Sequence, residues 1–142
     1  VSIIPATERL DLYEGHTLDE TWTFYEDEDQ TELTDFSGWS AAAKVRKDYD
    51  AATALISLTN VVTIGTPPSV DGIVLGGTAG TARLYVMDET MAALNASMFT
   101  DEPQEDGTHL YTGVWDLQLT NPDGETFTYA RGKAYFYREA TY

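Results

Sequence analysis

Apolar and polar residues alternate most regularly from Tyr111 to Leu119. Tyr111, Trp115, Leu117 and Leu119 share one face of a period-2 segment, and Thr112, Asp116 and Gln118 share the other. Asn121, Pro122, Asp123 and Gly124 then reverse the chain, and a second β-prone run ends at Tyr137. The stretch GTHLYTGVWDLQLTNPDGETFTYARGKAYFY therefore spells two long strands joined by one tight turn. Trp115 points inward and Asp116 outward.

Shorter runs upstream carry the same signal. Leu10 to Tyr13 is a short strand ended by Glu14 and Gly15. From Leu18 to Tyr25, Leu18, Trp22 and Phe24 oppose Asp19, Thr21 and Thr23. The acidic segment EDEDQTELTD forms a turn, and Trp39 to Lys47 alternates Trp39, Ala41, Ala43 and Val45 with Ser40, Ala42, Lys44 and Arg46. Strands are also predicted over Ala54 to Thr59, Val61 to Ile64, Gly72 to Leu75 and Thr81 to Met87. The one helical pattern is ETMAALNASMF, with Met91, Leu94 and Met98 at helical spacing and Asp88 as its N-cap. DEPQEDG reads as a polar loop. Many short strands and one brief helix predict an all-β fold, an antiparallel two-sheet β-sandwich of immunoglobulin-like or related type, with the helix across one open end. Residues 1–9 read as an N-terminal arm and 10–142 as a single domain.

At 142 residues a compact fold buries about 68–70% of its unfolded surface, enough core for one domain. Cysteine is absent, which excludes disulfides, thiolate metal sites and cysteine nucleophiles. No apolar run approaches the ~20 residues that span a bilayer, and the first residues lack the pattern of a signal peptide, so the chain reads as soluble and unsecreted, with no membrane partner. Twenty-four acids against 8 Lys and Arg give a net charge of −16, which repels a phosphate backbone and argues against nucleic acid as a partner. Acids crowd the first 36 residues, where Arg9 is the lone base; the bases gather at Lys44, Arg46 and Lys47 and at Arg131, Lys133 and Arg138. The acidic surface reads either as a solvated face or as a face that meets a basic patch.

Candidate chemistry is sparse. His16 follows a turn glycine and His109 opens a strand, and neither has a catalytic partner nearby in sequence. Asp27, Asp29 and Thr31 mimic the first ligands of a calcium loop, but Glu32 stands where that loop needs glycine and Gly38 where it needs a terminal glutamate. Gly76 to Gly80 lacks the phosphate-binding lysine and leads into a strand, so it reads as a turn. Asn95, Ala96 and Ser97 form a sequon inside the predicted helix. Tyr129, Tyr135, Phe136 and Tyr137 make an aromatic band, read as core and interface or else as a stacking platform. No catalytic, metal-binding or cofactor-binding residue is assigned.

The order of segments resembles the small β-sandwich proteins of tailed-bacteriophage particles, in particular the N-terminal domain of upper baseplate proteins and related head and tail accessory proteins. The resemblance rests on EGHTLDETWTFYEDEDQTELTDFSGWSAAAKVRKDYD, on GIVLGG and on the closing YTGVWDLQLTNPDGETFTYARGKAYFY. It spans about Leu12 to Thr141 and departs at GTPPSVDG and in the unusual acidity. It implies a non-enzymatic building block of the virion that docks on other virion proteins, with no cofactor. A capsid decoration (cement) protein of the head surface is the leading expectation, and a tail or baseplate component the alternative. From another class, a carbohydrate-binding module would use Trp39, Tyr129 and Tyr135, and a small hydrolase ranks third. The resemblance also suggests a homo-oligomer, a trimer. Val1, Ile3, Ile4 and Pro5 suit an extended arm on a neighbouring subunit or a strand edge of the same domain, and Tyr135 and Tyr137 suit an interface.

Overall fold

A computed structural model describes residues 6–27 and 29–138 of the chain. The strands are β1 (Ala6–Thr7), β2 (Leu10–Tyr13), β3 (Leu18–Thr23), β4 (Ser40–Arg46), β5 (Ile56–Thr59), β6 (Gly72–Leu75), β7 (Thr81–Val86), β8 (Thr100–Pro103), β9 (His109–Thr120) and β10 (Thr126–Tyr137), with one α-helix, α1 (Asp88–Ala92). They form two sheets. The larger runs β1-β10-β9-β4-β5, with β2 continuing beside β10 and β8 beside β9; the smaller runs β3-β7-β6. The fold is all-β and two-sheeted, as the alternation predicts.

The closing hairpin is the spine of the larger sheet. Asn121 accepts through its side chain from the backbone N–H groups of Asp123 and Glu125 and through its carbonyl from Gly124, whose φ of 87° needs glycine. Trp115, Leu117 and Leu119 are almost wholly buried on the inner face. β10 changes phase at a bulge between Thr128 and Ala130. Phe127 and Tyr129 pack against the core before it, and Ala130, Ala134 and Phe136 after it, which leaves Tyr135 and Tyr137 on the outer face. The sequence-level aromatic band is therefore split between core and surface.

The N-terminal strand departs from the expected antiparallel pattern. β1 and β2 both run parallel to β10, with Ala6 beside Ala130 and Leu10 beside Ala134. The expected arm of residues 1–9 thus lies, in its described part, along β10 within the domain's own sheet. Between β1 and β2 the Glu8 carbonyl tips over Gly132, where a Cβ would come within 2.0 Å of that oxygen. The indole N–H of Trp115, the residue paired with Gly132, donates to the same carbonyl at 2.9 Å. Trp115 also stacks on Trp22 of the smaller sheet, with ring centroids 5.2 Å apart. One side chain therefore joins the hairpin, the N-terminal strand and the opposite sheet.

Both ends of the sandwich are plugged. Asp35 accepts from the backbone N–H and hydroxyl of Ser37, and this turn sends Phe36 inward, 1% exposed, against Phe24, Trp39 and Tyr129. At the other end Met91, Leu94 and Phe99 are buried, and Phe99 stacks on Phe136 at 4.7 Å. The long helix expected there is cut short. α1 ends at Ala92, and a separate 3-10 turn spans Ala96–Met98 because the Asn95 side chain accepts from the Ser97 N–H and hydroxyl instead of leaving the backbone to helix. Asp88 is the first helical residue rather than the cap; Asp71 accepts from the Met87 N–H and the Thr90 hydroxyl, each at 2.6 Å.

Other expectations also shift. DEPQEDG is not only loop, since its first residues form β8 against β9. That strand is charged on an edge and carries no apolar alternation to announce it. The strand expected over Val61 to Ile64 shrinks to a parallel bridge between Asn60 and Ile73, with Val62 95% exposed.

Replacement of Trp115 by Ala should cost about 3–5 kcal/mol in urea or guanidinium unfolding, whereas Asp116→Ala should cost well under 1 kcal/mol. Gly132→Ala should also destabilise strongly, because backbone rather than a flexible side chain occupies the space. Equal unfolding midpoints for Trp115→Ala and the parent would contradict this packing.

Candidate functional site

The inner face of the larger sheet is filled by core, so what it offers to other molecules lies on its outer face and edges. There β2 and β10 assemble a polar and aromatic cluster. Arg9 donates to Asp11 at 2.9 Å and to the Tyr137 hydroxyl at 2.7 Å, and its guanidinium lies 4.2 Å from the centre of the Tyr135 ring. Tyr137 in turn stacks on the half-exposed Tyr13 at 4.9 Å. The hydrogen bond that Arg9 donates to Asp11 raises the pKa of Arg9, and burial followed by the Asp11 charge pushes the Tyr137 phenol up. These groups keep their protons at neutral pH. The cluster is a charge-paired, aromatic surface.

Tyr135 and Tyr137, expected at an interface, thus lie together on the outer face, half-buried by their own neighbours. Val1, Ile3, Ile4 and Pro5 lie outside the described residues. The aromatic trio required for sugar stacking is not assembled. Tyr129 is 9% exposed, enclosed edge-to-face by Phe24, Phe36 and Trp39, and Tyr135 carries Arg9 on its ring. Burial pushes the Tyr129 phenol up, with Glu26 adding to it.

The histidines are far apart in role. His16 closes the turn after β2, its N–H donating to the Tyr13 carbonyl. His109 Nδ1 lies 2.7 Å from Asp101 Oδ1, a pairing the sequence reading missed because β8 was not foreseen. Both side chains are about half exposed, and the His109 ring stacks along Tyr111. Their partnership ties β8 to β9. It sits beside Lys133, which pairs with Glu102 at 3.7 Å, and Thr112, whose hydroxyl donates to Glu102 at 2.5 Å.

The acidic turn after β3 has a structural use. Tyr25 and Leu33 form an antiparallel bridge at its base, and the Asp27 carboxylate accepts from the N–H groups of Thr31 and Glu32 and from the Thr31 hydroxyl. Those hydrogen bonds, the Thr31 hydroxyl first, hold Asp27 below the usual carboxylate range. Its oxygens are engaged with the loop's own donors, and among the described residues no group of His, Asp and Glu is placed to hold a metal ion. Gly77–Ala79 is a 3-10 turn between β6 and β7, and the Gly77 carbonyl accepts from the Phe36 N–H. No helix among the described residues is long and apolar enough to cross a membrane.

On the smaller sheet Arg83 grips Asp19 with two hydrogen bonds of 2.9 Å. Arg83 holds the Asp19 carboxyl below its ordinary 3.8. No model of a known protein family matches the chain, and no curated protein sequence is similar to it.

The lowered carboxylates set the direction of acid stability. Asp19, Asp27, Asp35 and Asp106 all hold their protons less readily in the fold than at the ordinary 3.8. Their contribution is complete above that value and is lost as pH falls through the lower folded values. The melting temperature should therefore drop as pH falls below the ordinary 3.8, and Asp19→Asn should flatten part of that fall. Scanning calorimetry across the range tests it; an acid limb unchanged in Asp19→Asn would remove the pair from the account.

Proposed function

We propose that this protein is a non-enzymatic building block of a tailed-bacteriophage particle, and that it decorates the head surface as a cement-type protein. The observation that carries the reading is how the residues that resemble such virion proteins are used. Phe36 of the Asp-Phe-Ser-Gly turn plugs the core, and the Trp115 hairpin carries the larger sheet. Those segments are spent on a rigid body, which leaves binding to the outer face, the edges and the acidic turns. A shell-stabilising protein needs that division, because its work is to hold shape while touching several neighbours.

The same reading accommodates a place in the tail or baseplate. Copy number discriminates the two, since head decoration follows the lattice of the shell and tail components follow the lower symmetry of the tail. A carbohydrate-binding module is less well supported, given the enclosed Tyr129 and the covered Tyr135. On this proposal the apolar Val1, Ile3, Ile4 and Pro5 lie on a neighbouring virion protein, and a trimer is the working oligomeric state.

Quantitative mass spectrometry of purified particles should find the chain at a fixed, high copy number relative to the major capsid protein. Deletion of residues 1–5 should leave the melting temperature within a few degrees of the parent while weakening particle attachment, because β1 begins after them. Attachment should also weaken with salt. Absence from particles would overturn the virion assignment; undiminished attachment of the truncated chain would overturn the role of the arm.

A further inference from the structure

The outer face of the larger sheet gathers four cations, Lys44, Arg46, Arg131 and Lys133, around a single carboxylate of β9, Asp116. Lys44 and Arg131 flank Asp116 in register across β4, β9 and β10, and Arg46 and Lys133 flank Val114 two residues further on. Lys133 reaches Glu102, but Lys44, Arg46 and Arg131 make no ion pair among the described residues, and the buried Nε of Arg46 has no hydrogen-bond partner. In a chain with three acids for every base, this one face holds four of the 8 Lys and Arg, an excess of positive charge that Asp116 and Glu102 offset only in part. Along its middle strand the half-buried, apolar Val114 lies between Arg46 and Lys133, and Asp116 lies between Lys44 and Arg131, so the face combines a small apolar strip with net positive charge.

The complementary shape occurs at the acidic turn after β3. Tyr25 and Leu33 stand at its base, 38% and 42% exposed and bridged to each other, and Glu26, Asp29 and Glu32 of the same turn are exposed. An apolar pair thus shares the turn with exposed carboxylates, and the Asp27 carboxylate ties the turn's two sides together by accepting from the Thr31 and Glu32 N–H groups. The turn and the cationic patch cannot meet within one molecule: the turn crosses over toward the smaller sheet, where the Phe24 N–H donates to the Gly80 carbonyl and the Thr34 N–H to the Phe24 carbonyl, whereas the patch looks away from that sheet.

The geometry points to a head-to-tail contact between copies of this chain, in which the acidic turn of one molecule docks on the Lys44, Arg46 and Arg131 face of the next. Such a contact is heterologous, so it closes into a ring when the rotation per copy divides the circle and otherwise runs on as a filament. At about 0.1 M salt the Debye length is about 10 Å, which screens the overall repulsion of two strongly acidic molecules but spares charges in direct contact. The biological use of the contact rests on the building-block reading above, but its test requires only the purified chain. Loss of particle attachment with self-association intact would count against the virion assignment alone.

Sedimentation equilibrium of the full chain at about 100 µM should show oligomers in about 0.1 M salt and at least a 10-fold weaker association in about 1 M salt. Lys44→Glu with Arg131→Glu, and separately Glu26→Lys with Glu32→Lys, should each weaken association at least about 100-fold, at roughly 10-fold per reversed charge. An equimolar mixture of the two variants should restore it, because each then presents the complement the other lacks. The substituted residues are all exposed or at the surface, and circular dichroism melts confirm folding; should a reversal fail to fold, Lys44→Gln with Arg131→Gln provides the same comparison with a smaller loss. A parent that stays monomeric in about 0.1 M salt, or variants that fail to complement, would overturn the contact.

Discussion

The hydrogen bond from the Trp115 indole to the Glu8 carbonyl holds the rest of the molecule in register. It forms only because Gly132 has no side chain, so the carbonyl can descend onto the sheet, and only because Trp115 is turned inward by the alternation of β9. A buried indole N–H without an acceptor costs about 1–3 kcal/mol, so the site is demanding in both directions: the strand needs the indole, and the indole needs the strand. Since the same ring rests on Trp22, an error in any one of the three partners disturbs the spacing between the sheets.

From that node outward the structure divides its labour by strand face. Inner positions of β4 are small, Ala41, Ala43 and Val45, which allows the smaller sheet to sit close, while their outer neighbours Lys44 and Arg46 collect positive charge. The bulge in β10 does comparable work at the other side, where one extra residue converts a run of aromatics into a buried Tyr129 and the exposed side of Tyr135 and Tyr137. Lys44, Arg46, Arg131 and Lys133 share one surface because period-2 geometry places them there together. That arrangement is a property of strand phase, set by where β4, β9 and β10 align.

The hairpin, β2, β6 and the two-sheet class were legible because each is written in local alternation or turn chemistry. Elements fixed by distant partners were not. β8 is a charged edge strand recognisable only through β9, and the His109 pairing with Asp101 follows from it. The short α1 turned on Asn95 competing for its own backbone and on Asp71 reaching in from just before β6. The parallel course of the N-terminal strand could not be read locally either, since Leu10 to Tyr13 alternates identically whichever way its neighbour runs. The outer-face cluster of Arg9, Asp11 and Tyr137 was illegible for the same reason, although Tyr135 and Tyr137 were singled out from sequence.

The acceptor of the Trp115 indole lies 107 residues earlier in the chain. During synthesis the first strand is therefore made long before the strand it must lie against, and its hydrogen-bonding edge waits while nearly the whole domain emerges. Contacts of such long sequence separation slow folding, since the loop between them must be closed before any reward is collected. Once β10 is made, and until its own first strand closes on it, its bare edge is open to the first strand of whichever copy reaches it. At high local concentration the same lock that secures one molecule would then fasten two, and the protein's assembly state would be decided by the timing of its folding as well as by the surfaces of its folded form.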